Sequence, residues 1–138
     1  MLPSVARLGI FRLAYASKFT DLPEPAQGEE RADQATPRSA ASGRDEFAEI
    51  PATLQAAMAF TSFGDRPLVV VTALAGAQRG WLAAQDTMAA LSTNSAHRVL
   101  QDMTHEALIT SESGAAASSK AILDVVTAVR TGAALAKQ

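Results

Sequence analysis

Leu68-Val69-Val70-Val71-Thr72 is an apolar, largely β-branched run with no polar residue alternating through it. Such a run reads as a strand covered on both faces, the situation of a parallel sheet flanked by helices. The turn Gly64-Asp65-Arg66-Pro67 introduces it, and a loop containing Gly76 leaves it. Beyond Gly80, the residues Trp81, Ala84, Met88 and Leu91 share one face of a helix, which Ser92-Thr93-Asn94-Ser95 stops. A second strand is expected over Arg98–Met103, parallel to the first through a right-handed crossover. A closing helix is expected after Gly114, with Ile122, Val125, Val126 and Val129 at i, i+3, i+4 and i+7 against the sheet and Gly132 ending it.

The residues before this unit carry weaker signals. Val5, Leu8, Phe11 and Tyr15 recur at helical spacing beside Arg7, Arg12 and Lys18, which reads as a short amphipathic helix. It is too broken by charge to be a membrane span, so a membrane partner is not expected. Asp21 to Gly43 is rich in Pro, Gly, Glu, Gln and Ser and reads as a flexible stretch. A helix is then expected from Arg44 and Asp45, with Phe47, Ile50, Leu54 and Met58 in one buried stripe, Pro51 kinking or splitting it, and Asp45, Glu46 and Glu49 complementing its dipole. The expected division is a helical segment over residues 1–63 and a βαβα unit over residues 64–138.

Composition narrows the function classes. The formal charge is -2 and the Lys and Arg residues are scattered, so nothing resembles a nucleic-acid-binding stripe. There is no cysteine and there are only two histidines, which leaves a metal site almost no ligands. No phosphate-cradling glycine loop or dinucleotide fingerprint occurs, and no cofactor is expected. The N-terminal segment leaves a signal peptide conceivable, so the compartment stays open, with the cytoplasm slightly favoured. Aromatic residues make up 5% of the chain against 48% hydrophobic residues in all, so the core must be built from small side chains.

In the expected topology Thr104-His105-Glu106 follows the second strand at its carboxyl end, where open α/β sheets place their functional loops. The ordered words Asp65 to Thr72, Trp81 to Gln85, Leu91 to His97, Thr104-His105 and Ala121-Ile122 to Val129-Arg130 resemble the C-terminal portion of α/β-hydrolase-fold serine hydrolases. The resemblance covers the second half of the chain well and the preceding segment loosely, as a lid region. It implies a partial α/β-hydrolase fold and the triad histidine, the last triad member in chain order, at His105. A complete hydrolase of this kind needs roughly 200–250 residues, and no Gly-x-Ser-x-Gly elbow occurs in these 138. The implied function is therefore the general-base part of a hydrolase acting on an ester, amide or similar acyl substrate. Its nucleophile would come from a missing half as partner. The alternative is a noncatalytic relative that binds a partner or self-associates as a homo-oligomer.

The other polar candidates have simpler roles. His97 stands at the start of the expected strand, at the opposite sheet edge from His105, and reads as structural, bonding the Ser92–Ser95 turn. Asp102, expected inside the strand, and Glu106, expected to be exposed, are weak candidates for orienting the imidazole. The loop after the first strand, Ala73-Leu74-Ala75-Gly76, offers no carboxylate. Ser111 and Ser113 read as helix caps rather than nucleophiles, and Ser118 and Ser119 lie within the helix.

Overall fold

The computed structural model describes residues 9–136. These form six helices and two strands: α1 (Ile10–Ala14), α2 (Ala26–Gln34), α3 (Pro37–Met58), β1 (Leu68–Ala73), α4 (Trp81–Ala89), β2 (Ser95–Leu100), α5 (Ala107–Thr110) and α6 (Glu112–Thr131). They divide into two compact units, one ending at Ala59 and the other beginning at Phe60.

The first unit is helical. Of the amphipathic segment expected near the N-terminus, α1 carries the part from Ile10; Val5, Arg7 and Leu8 lie outside the described residues. The stretch expected to be flexible is mostly helix, because its prolines sit where helices begin. Pro25 occupies the N-cap of α2, and Pro37 is the first residue of α3, where a missing N–H costs nothing. Thr36 caps α3 by accepting from the Ser39 amide at 3.0 Å. α3 thus starts seven residues before Arg44, which turns Asp45, Glu46 and Glu49 into mid-helix residues instead of first-turn acids. It runs through Pro51 as one element. Its apolar stripe is not buried: Phe47, Ile50, Leu54 and Met58 are 43–85% exposed.

The second unit is the parallel strand–helix–strand–helix arrangement that the apolar run implies. β1 and β2 pair in parallel from Leu68↔Ser95 to Ala73↔Leu100, and a bridge from Gly64 to Ser92 extends the pairing toward the amino end. β2 lies three residues earlier than the periodicity suggests. Ser95 and Ala96 belong to the ladder, while Gln101, Asp102 and Met103 turn away. The polar Ser95 and His97 hide this start from a reading based on apolar runs.

Helices cover both faces. On one, Ala96, Ala128 and Leu135 cluster with Val69 beneath α6; on the other, Val70 and Thr72 lie under α4, whose buried residues are Gln85 and Ala89. The faces that contact the sheet are therefore the small-residue ones. Ala121 and Ala128 of α6 are buried, whereas Ile122 and Val129 are 65% and 66% exposed, and Trp81 and Met88 of α4 are also exposed. Small residues let the helices approach the sheet, and the large side chains stand off on their flanks.

Gly132 ends α6 in the left-handed conformation (φ 71°), its amide donating to Ala128 O at 2.9 Å. At its start, Ser111 accepts from the Gly114 amide at 3.1 Å and donates to Ala107 O at 2.7 Å. α6 thus begins before Gly114, which has another purpose: a Cβ there would lie 1.9 Å from Ala107 O. Only glycine allows the α5 backbone to press against α6.

Candidate functional site

The site is the turn from Gln101 to Glu106, built by the elements on either side of it. β2 delivers the chain to the carboxyl edge of the sheet. There the Ala75 amide donates to Met103 O at 2.9 Å, tying this turn to the loop that leaves β1. On the other side, Thr104 Oγ1 accepts from the Ala107 amide at 3.2 Å, and Leu108 N–H donates to His105 O at 3.3 Å, fixing the entry into α5. Leu108 is buried beneath α5, and Ser118 Oγ donates to Leu108 O at 2.9 Å, anchoring α5 to α6. The turn that carries His105 is thus held at three points, one of them the His105 carbonyl, while the His105 side chain is exposed.

Among the described residues, the His105 imidazole makes no hydrogen bond to another side chain. Leu108, turned into the core, and Ile109, 74% exposed, do not wall it in. Asp102 lies in the turn after β2 and is exposed, not directed into a sheet face, because the strand ends at Leu100. Glu106 is exposed, as the sequence suggests. Neither carboxylate bonds His105, and the β1 loop from Leu74 to Gly80 contains none. The serines divide as their positions imply: Ser111 is the cap of α6, Ser118 bonds backbone, and none reaches His105.

His97 is in the middle of the β2 ladder opposite Val70, on the face beneath α4. Its Nδ1 lies 2.8 Å from Asp86 Oδ1 and its Nε2 lies 2.7 Å from Thr72 Oγ1. An ionised carboxylate only accepts, so Nδ1 carries the proton it donates to Asp86. In the neutral ring, Nε2 then accepts from the Thr72 hydroxyl. This replaces the expected bond to the Ser92–Ser95 turn, where Ser92 instead donates to Arg66 O and accepts from Asn94 N–H. Sequence reasoning missed the tie because Asp86 and Thr72 are brought to His97 only by the crossover.

The order carboxylate, imidazole, hydroxyl is that of a catalytic triad, but Thr72 is 1% exposed and no substrate atom can approach its oxygen. The array ties α4 to both strands. Opposite it, Arg98 donates to Asp124 Oδ2 at 2.5 Å, and Lys120 Nζ lies 2.9 Å from the same oxygen. Hydrogen bonds from Lys120 and then Arg98 hold the Asp124 carboxyl below its ordinary pKa of 3.8.

Among the described residues, no three His, Asp or Glu side chains converge as metal ligands, and no helix is long and apolar enough to cross a membrane. No family model, curated protein or solved structure matches the chain.

Proposed function

We propose that this chain is the C-terminal, histidine-bearing part of an α/β-hydrolase-fold serine hydrolase, acting on an ester, amide or similar acyl substrate. The observation that carries the reading is the bond from the Ala75 amide to Met103 O, which joins the two loops at the carboxyl edge of a parallel sheet. His105 stands in one of those loops, at the end of the last strand, backbone-fixed and side-chain exposed.

A base there would take the proton of a serine hydroxyl as it attacks the acyl carbon, then return it to the leaving group. The serine comes from outside these 138 residues, since no Gly-x-Ser-x-Gly elbow lies within them. The orienting carboxylate also comes from elsewhere, because neither Asp102 nor Glu106 bonds the imidazole. Specificity rests with the same missing segments.

Two measurements test this. The 138-residue chain should show no labelling by a fluorophosphonate, and a labelled serine would place the nucleophile within it. In a polypeptide joined to, or mixed with, an elbow-bearing segment encoded beside it, His105→Ala should lower ester turnover by several orders of magnitude. His97→Ala should leave turnover per folded molecule near that of the parent. Equal, small losses from the two substitutions would remove His105 from the role of general base. A second reading, a noncatalytic binding module, is favoured by the exposed stripe from Phe47 to Met58. It gains ground if no elbow-bearing segment is encoded nearby.

A further inference from the structure

α6 lies over β1 more than over β2, which leaves the α6-facing surface of β2 partly uncovered. That surface carries Ala96, Arg98 and Leu100, since Ala96 packs with Val69 beneath α6 and side chains alternate along a strand. Leu135 packs on Ala96 at the amino end. Farther along, a groove of about 470 Å³ runs between Arg98 and Leu100 on the strand and Ala117 and Lys120 on the helix, with Val71 and Val99 completing its apolar lining. Its size falls within the range of small-molecule sites. His97 also lines it, but both of its ring nitrogens are engaged, by Asp86 and Thr72.

The polar end of this groove is out of balance. Arg98 and Lys120 share one carboxylate, that of Asp124, so the cluster keeps a net positive charge. Arg98 gives Asp124 a hydrogen bond from Nη2 alone. Its Nε and Nη1 are buried without an acceptor, and no other buried side-chain nitrogen or oxygen among the described residues is left so. Buried donors without acceptors are costly and native structures leave few of them, most of all on a cation. Water suits the place poorly, because it needs several polar partners and the side chains of Val71, Val99, Leu100 and Ala117 offer only hydrocarbon. The two cations differ in depth: the Lys120 side chain is exposed and that of Arg98 is almost wholly buried.

We infer that this groove binds a small monocarboxylate with an apolar body, its carboxylate bridging Lys120 and Arg98 and its body lying on Val71, Leu100 and Ala117. The ligand takes Lys120 over from Asp124, and the movement of that long side chain opens the guanidinium to the groove. Asp124 stays on Arg98 Nη2, so no charge of the cluster is left unpaired. The ligand carboxylate then supplies the acceptor that the chain itself does not give Arg98, in charge-assisted bonds that fix the head. Burial of the body supplies the rest of the affinity. A bare inorganic anion is a poorer match, since it meets the charge of Asp124 and leaves the apolar lining uncovered. The groove lies on the β2 side, clear of the β1 edge that further strands of the proposed hydrolase would use, and the inference does not rest on that reading.

Titration of the full chain with sodium hexanoate, followed by two-dimensional nitrogen–proton NMR, should give saturable shifts of the Arg98 Nε–H resonance and of the Leu100 and Ala117 amides. Hexanol has a matching body without the charge and should bind about tenfold or more weakly, the worth of one charge-assisted hydrogen bond. Sodium sulfate at equal ionic strength should give no saturable shift. Ala117→Leu fills the apolar part of the groove without touching either cation, and Lys120→Gln removes the accessible cation. Each should weaken hexanoate binding about tenfold with an unchanged circular dichroism spectrum, and if one of them fails to fold the other decides. Absence of saturable hexanoate shifts at Arg98 overturns the inference, as does hexanol or sulfate binding as tightly as hexanoate, or an unchanged affinity in either folded variant.

Discussion

The unit before Ala59 and the unit after it differ in what holds their helices. In the first, Ala35 is the single buried residue among those described, and α3 extends 22 residues with its apolar stripe open. In the second, helices of comparable apolar content sit on a two-stranded sheet, with Val70, Thr72, Ala73, Ala96, Ala121 and Ala128 beneath them. The helices of the first unit are specified locally, by Thr36 as a cap and by prolines at helix starts. Those of the second are held by close backbone approach and by ties between elements distant in sequence. Local signals define a helix, but burial supplies most of its stability. Substitutions should therefore have very different effects in the two units.

The largest effect is expected at Gly114. A methyl group there would meet the Ala107 carbonyl carbon and oxygen and the Leu108 Cα, all backbone atoms that cannot swing aside. Gly114→Ala should destabilise the sheet unit by at least about 1–3 kcal/mol, the range for forcing atoms into a filled space, despite the gain in helix propensity that alanine brings elsewhere. Chemical denaturation followed by circular dichroism measures it. Since α5 carries the chain away from His105, the same substitution should shift the His105 ring resonances in an NMR spectrum. A neutral result would mean that α5 does not pack on α6 as described.

The contrast also explains what the sequence made legible. The βαβα order was readable because the Leu68–Thr72 run, the Ser92–Asn94 stop and Gly132 each have a local physical meaning. The start of β2 was not, since Ser95 and His97 look like loop residues until Asp86 and Thr72 satisfy the imidazole across the fold. Helix faces were misjudged for a related reason. Periodicity ranks large apolar residues as the buried ones, yet Ile122, Val129, Trp81 and Met88 stand on flanks, while Ala121, Ala128, Gln85 and Ala89 meet the sheet. In the sequence the prolines near α2 and α3 look like helix breakers, whereas their positions make them starters. At the site, the position of His105 in a turn was legible; the Ala75–Met103 tie that fixes that turn involves only backbone atoms and has no side-chain signature.

A smaller effect is expected at the Arg98–Asp124–Lys120 cluster. The Asp124 pKa is lowered in the folded state, so the folded protein binds that proton less readily than the unfolded chain. The stabilisation is therefore complete above the ordinary value of 3.8 and is lost as pH falls through the lower folded value. Asp124→Asn should reduce the melting temperature at neutral pH, with the difference from the parent shrinking toward zero in strong acid. A constant difference across that range would assign the effect to packing. Salt should weaken the Lys120 contact more than the Arg98 contact, because the Lys120 side chain is 59% accessible and that of Arg98 11%.

The smallest effect belongs to the first unit, and it sharpens the contrast most directly. Leu54 is 59% exposed on α3, so truncating it removes little buried surface and leaves no cavity. Leu54→Ala should change stability by no more than about 0.5 kcal/mol, in line with surface substitutions away from caps and charges; alanine's higher helix propensity acts in the stabilising direction. Hydrogen exchange should show the same ordering without any substitution. Amides of α3 would exchange well before those of β1 and β2, because the helix has few buried apolar contacts to protect its opening. If Leu54→Ala instead cost as much as a core truncation, or α3 were as protected as the sheet, the stripe from Phe47 to Met58 would be covered in solution.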